Sequence, residues 1–117
     1  LNQCGAVLTN KRQMALGDAL DGLQQSIQFL LDRGSDDEML PGAISYDLLM
    51  QTGYIFGGWQ MLRSAILVVD HEDMQFKHNK RITVDYYIDH ILPRAEAHRL
   101  SLINGSDSVT AIAVDQL

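Results

Sequence analysis

The chain has 117 residues and a mass of 13.1 kDa, which fits one compact domain and excludes a large catalytic domain together with a second one. With 46% hydrophobic residues, 21% charged residues and two prolines it can bury a core and does not read as disordered. Nine Lys and Arg against fifteen Asp and Glu give a net charge of −6, which disfavours broad attraction to nucleic acid or anionic lipid.

The first long segment places Leu16, Leu20, Leu23, Ile27 and Leu30 at spacings of four and three, the apolar stripe of a helix that packs on other helices. A helix is expected over 10–33, with Thr9 or Asn10 as its cap. Gly34 suits a left-handed residue just past its end, and Arg33 sits favourably against the negative end of the dipole. Ser35 to Glu38, followed by Pro41 and Gly42, read as a polar, breaker-rich connection, with room for a helical turn at 38–40.

The second segment carries Ile44, Leu48, Ile55, Trp59, Leu62, Ile66 and Val69 at helical intervals, with Ser45 available as its cap. Gly53, Gly57 and Gly58 lie inside it. Glycine within a helix costs about 1 kcal/mol relative to alanine, so three in six residues call for close approach of another helix. Gly53 and Gly57 have the small-xxx-small spacing of membrane helix dimers, but Asp47, Gln51, Gln60 and Arg63 interrupt the run well short of a membrane span.

After the polar break Asp70 to Asp73, the third segment repeats Val84, Ile88, Ile91, Ala95, His98 and Leu102, with Gly105 at the expected terminal cap. Pro93 lies within that pattern. It removes one donor and crowds the carbonyl of Asp89, so a kink is expected near residues 89–93. Ser106 to Leu117 read as an extended tail that docks on something. The fold class is therefore all-α: an up-down helical bundle of three long helices in a single domain over 1–117, with a short extra helix or a partner able to complete a fourth position.

Little in the chain points to chemistry. The lone Cys4 forms neither an intrachain disulfide nor a cysteine zinc site, which favours a reducing, intracellular setting, and the N-terminus lacks the parts of a secretory signal. The start at Leu1 fits a fragment, a processed product or a missing beginning. Among His71, His78, His90 and His98 no Glu-x-x-His motif occurs, and Asp85 with Asp89 reads as a solvated acidic strip, so no metal site is expected. His98 reads as a core or interface histidine with one hydrogen-bonded nitrogen. No Gly-x-Ser-x-Gly elbow and no phosphate-cradling loop is present. Lys77, His78, Lys80 and Arg81 cluster at the start of the third helix, where the dipole opposes them; a solvated face is the plain reading and an anionic ligand the sharper one. Trp59, Tyr46, Tyr54, Tyr86 and Tyr87 read as core or interface aromatics.

Taken in order, Tyr46-Asp47-Leu48-Leu49, Gly57-Gly58-Trp59 with Arg63 and Ala65, Phe76 with Lys77 and Lys80, Tyr86-Tyr87, Ile91-Leu92-Pro93, and Ile103 to Val109 with Ala111 form a series. This series resembles the extra C-terminal helical domain of the larger bacterial acyl-CoA dehydrogenases. The resemblance implies a parent flavoenzyme that binds FAD and oxidises an acyl-CoA to the 2,3-enoyl-CoA, with its catalytic and flavin-contacting residues upstream. It implies no catalytic, cofactor-binding or metal residue in this chain. Gly53, Gly57, Gly58, Trp59, Tyr87 and Pro93 are then expected at packing or interface positions, the glycine-rich face of the second helix and the apolar tail meeting the dehydrogenase core or a second subunit, and Lys77, Lys80 and Arg81 are candidates for the nucleotide part of CoA. A homo-oligomer in the cytoplasm is expected, with neither nucleic acid nor a membrane span. The alternative is a free-standing helical adaptor that self-associates or binds a partner.

Overall fold

The computed structural model describes residues 7–117, apart from the side chain of Val114; Cys4 lies outside the described residues. The described chain is all-helical. Helix α1 spans Asn10–Arg33, the expected bounds, and the Thr9 hydroxyl caps it by accepting from the Arg12 N–H at 3.4 Å. Its end differs from expectation. Gly34 stays right-handed at φ −65°, because its N–H continues the ladder to the Leu30 carbonyl at 2.8 Å and the chain leaves by a further turn bond from Asp36 to Arg33. A Cβ at Gly34 would lie 2.7 Å from that same carbonyl oxygen, so the close approach, not a left-handed angle, selects glycine there.

Helix α2 spans Leu40–Leu67 and starts earlier than Ser45. Pro41 falls in the first turn, where its missing N–H costs nothing, and the Ser45 hydroxyl donates back to the Gly42 carbonyl at 3.1 Å instead of capping. Asp37 organises the entry: one carboxylate oxygen accepts from the Met39 N–H, and the other takes the Ser106 hydroxyl, joining this turn to the tail.

The third expected helix is divided in three. Helix α3 spans Met74–Tyr86 and is capped by Asp73, which accepts from the Phe76 N–H at 3.0 Å. A π turn follows at Tyr87–Ile91, and α4 spans Arg94–Leu102. Pro93 explains the widening. It has no N–H for the Asp89 carbonyl and its ring crowds that carbonyl in a regular helix, and just before it the Leu92 N–H reaches five residues back to Tyr87 at 2.8 Å. Gly105 then ends the run at φ +75°, as its position suggests. The tail is not extended. It forms a short helix α5 over Asp107–Thr110 and a 3-10 turn at Val114–Gln116, because the Ser106 carbonyl collects the Val109 and Thr110 N–H groups and the Thr110 hydroxyl locally. The tail is anchored to its own chain at buried Ser106 through Asp37, while its apolar residues Val109, Ile112 and Leu117 stay exposed.

Helix α2 is central, packed against α1, α3 and α4. One core unites Leu16, Ile55, Leu62, Ala65, Val84, Ile88, Leu92 and Ala95; a second, smaller one joins Leu40, Ile44 and Leu102. The inner face of α1 keeps Leu16, Leu23 and Leu30 of the expected stripe but is shifted between them. Gly22 and Ser26 turn inward, against the Arg99 stem and Gln51, while Leu20 and Ile27 are exposed. The molecule measures 65 × 27 × 19 Å with a radius of gyration of 18.3 Å. A compact domain of this length has roughly 13 Å, so the chain is long and thin, and much apolar surface lacks a second layer.

Candidate functional site

The glycines of α2 serve different neighbours. A Cβ on Gly57 would fall 2.1 Å from the Tyr87 hydroxyl oxygen and 2.9 Å from its Cζ, so glycine here admits the ring of the π turn. That hydroxyl donates to the Tyr54 carbonyl at 2.7 Å. Burial, with Tyr54 adding to it, pushes the Tyr87 phenol above its ordinary 10.0. A Cβ on Gly58 would meet Leu16, Leu92 and Tyr87 at ordinary contact distances. Gly53 opens outward with nothing within 4 Å of a Cβ. Trp59 packs half-buried on the core, and Pro93 stands exposed at the end of the π turn.

Across the α2–α4 contact, His98 Nδ1 lies 2.8 Å from Asp47 Oδ1, and the Ser101 hydroxyl donates to Asp47 Oδ2 at 2.9 Å. The Tyr54 ring stacks on the imidazole at 5.8 Å and Tyr46 meets it edge-on at 5.7 Å. His98 thus has one hydrogen-bonded nitrogen, as its place on the stripe suggests, but its acid partner is 51 residues away and no local spacing reveals it. Ser101 bonds the carboxylate rather than the imidazole, so the trio is not a nucleophile and its base. Its geometry orients a histidine at a helix crossing.

Asp85 and Asp89 form a partly exposed acidic strip, but an ion-paired one. Arg12 clamps Asp89 through Nε at 3.0 Å and Nη2 at 2.7 Å, and reaches Asp85 at 3.6 Å, tying α1 to the π turn. That guanidinium holds the Asp89 carboxyl below its ordinary 3.8, and Arg99, bonded to Glu96 at 2.6 and 2.8 Å, holds Glu96 below 4.5. Lowered folded-state values mean stability that is present above the unfolded values and lost as pH falls through the folded ones. The thermal midpoint is therefore expected to stay level from pH 7 to 5 and to fall below about pH 4, modestly because both pairs are exposed, with Arg12→Gln flattening part of the fall. Thermal melts across that range check this; an unchanged midpoint down to pH 2 would contradict it.

The basic cluster has a local answer. Lys77 Nζ donates to the Val69 carbonyl at 2.9 Å, satisfying the chain just beyond α2, and Lys80 lies over the Phe76 ring at 5.9 Å. Arg81 is exposed on the following turn.

The side of α2 turned away from the core presents Tyr46, Leu49 and Phe56, with Gly53 between Leu49 and Phe56; further along, the exposed polar pair Gln60 and Arg63 separates them from Leu67. Leu49 is 69% exposed, Phe56 57% and Leu67 79%. The first half of α2 thus carries apolar residues on its outer side as well as its inner one, and the outer ones are uncovered in this chain. The model of the family described as acetyl-CoA dehydrogenase C-terminal like matches residues 6–113. The chain belongs to that family. No curated protein and no solved structure matches it.

In this C-terminal-like domain the described residues hold no group of three or more metal-ligating side chains, and no described helix is long and apolar enough to cross a membrane. A groove of about 480 Å³ between α1 and α4 is lined by Asp18, Asp21 and Glu96, with Arg99 already paired to Glu96. Carboxylates repel a pyrophosphate, so this groove does not fit a flavin dinucleotide.

Proposed function

We propose that this chain is a non-catalytic C-terminal domain of an FAD-dependent acyl-CoA dehydrogenase-like enzyme, and that it serves packing of the dehydrogenase core or assembly of subunits. The parent oxidises an acyl-CoA to the 2,3-enoyl-CoA with flavin and base held in its other domains; this domain supplies surface. What supports the reading is the uncovered apolar side of α2 on a chain of this family. On this reading the up-down bundle that the helices suggest is completed by the partner, which lies along Leu49, Gly53 and Phe56.

The test is a charge placed on that surface in the full-length enzyme. Leu49→Glu with Phe56→Glu is expected to reduce the assembled mass by light scattering, or the thermal stability of the holoenzyme where the core is the partner. The 117-residue chain with the same changes keeps its helical circular dichroism and melting point, since both side chains are exposed within it. An unchanged mass and stability of the full-length variant would contradict the reading.

A further inference from the structure

Helices α1 and α2 share a second face, on the side away from α4. Leu16 lies against Gly58 and Ser26 bonds Gln51, so the two helices run antiparallel with residues 26 and 51 level. Each also has residues turned to α4: Gly22 and Gln25 of α1 face Arg99, and Asp47 and Tyr54 of α2 meet His98. A step of two residues turns a helix by about 200°. Leu20 and Ile27 stand two residues from Gly22 and Gln25, and Leu49 and Phe56 two from Asp47 and Tyr54, so all four point away from α4, and all four are exposed. Their pattern is symmetric. Leu20 and Ile27 are seven residues apart, as are Leu49 and Phe56. With 26 level with 51, Leu20 stands within a residue of the level of Phe56 and Ile27 within a residue of Leu49. The four form a rectangle whose two long sides share a midpoint, which is what a surface that binds its own copy across a two-fold axis requires.

The area is sufficient. A face about 35 Å long, the length of α1, and about 20 Å wide for two helices side by side covers roughly 700 Å² on each copy and roughly 1,400 Å² in all, within the range of about 1,200–2,000 Å² of a specific dimer. Charge sets the direction of the axis. Arg63, seven residues beyond Phe56 and exposed on the same side, meets no carboxylate among the described residues, only Gln60 at 3.4 Å. An axis across the helices brings Arg63 to the level of residue 42 of a second copy, one turn from the exposed Glu38; an axis along them brings it to the level of residue 14, one turn from Lys11, a like charge. We infer that α1 and α2 pack on the α1 and α2 of a second copy of this chain, about a two-fold axis that crosses the helices near Gln24 and Gly53, with Leu20 on Ile27, Leu49 on Phe56 and Arg63 near Glu38 of the other copy. The inference rests on the assembly reading and names its partner; a parent core covering the same face would leave that reading standing and remove this one.

Cysteine cross-linking in the full-length enzyme tests this. Gln24 is exposed beside the axis, so the new thiols of two Gln24→Cys chains meet, whereas Asp18 is exposed on the groove toward α4. Mild oxidation is expected to give about tenfold more disulfide-linked dimer from Gln24→Cys than from Asp18→Cys, because only the first brings Cα atoms to the roughly 4.4–6.8 Å that a disulfide spans. Adding Leu49→Glu and Phe56→Glu to Gln24→Cys is expected to remove the excess, although both changes lie on the other helix. No excess over Asp18→Cys would overturn the inference, as would an excess that survives the two glutamates. A fall in holoenzyme stability with those glutamates but no Gln24→Cys cross-link would assign the face to the parent core, upholding the assembly reading and overturning the two-fold contact.

Discussion

Replacing Gly57 with leucine is expected to lower the stability of the chain by about 3 kcal/mol or more, as an overpacked crossing that cannot relax. The reason is the Tyr87 ring, whose hydroxyl oxygen and Cζ lie 2.1 and 2.9 Å from the position of a Cβ and whose hydroxyl is bonded to the Tyr54 carbonyl. Alanine at 57 brings the same first clash, so it costs about 1–3 kcal/mol even though alanine is the better helix former by about 1 kcal/mol. Gly53, one turn earlier, has nothing within 4 Å of its Cβ position, and Gly53→Ala is expected to gain roughly that 1 kcal/mol. Tyr87→Phe in the Gly57→Ala chain recovers only part of the loss, because Cζ is still too near. Urea unfolding of these chains reads the signs directly; Gly53→Ala and Gly57→Ala moving stability in the same direction would contradict the crossing as described.

Leu62→Ala is expected to cost about 2–5 kcal/mol, the range for emptying a closed apolar site. Leu62 is 0% exposed and belongs to the cluster in which α1, α2, α3 and α4 all meet, so no single helix can shift to fill the space. A domain of this size is held by about 5–15 kcal/mol in total, which makes this one methyl cluster a large share of the whole. Leu49→Ala, on the same helix but exposed, is expected within about 0.5 kcal/mol of the unaltered chain. Chemical denaturation separates the two. A loss at Leu62 below 1 kcal/mol would show that the core is looser than its burial implies.

The features legible in the sequence are those set by neighbours along the chain. Thr9 caps α1 because its hydroxyl needs only the N–H three residues on; Pro93 bends the third helix because its ring confronts its own preceding turn; Gly105 takes a positive φ at a helix end. Even here the outcome at Pro93 is a π turn, since widening the ladder by one residue relieves the ring while α4 continues. The missed features depend on which helices meet. Asp47 reaches His98 across 51 residues and Arg12 reaches Asp89 across 77, so neither pair leaves a trace in local spacing. The same holds for part of α1: Leu16, Leu23 and Leu30 pack inward as the stripe predicts, but Gly22 and Ser26 also face inward against Arg99 and Gln51, while Leu20 and Ile27 lie exposed. Gly34 and the tail show a third case. Local hydrogen bonds closed each into a right-handed turn before any left-handed cap or extended strand was needed.

The central claim is that this domain belongs to a larger flavoenzyme, and the most direct measurement is the size and flavin content of the natural polypeptide. An antibody raised against this segment, used to immunoblot and then to capture the protein from its native source, is predicted to reveal a chain several times larger than 13.1 kDa whose purified form carries FAD absorbance. A band at 13.1 kDa without flavin would contradict the claim and favour a free-standing helical adaptor.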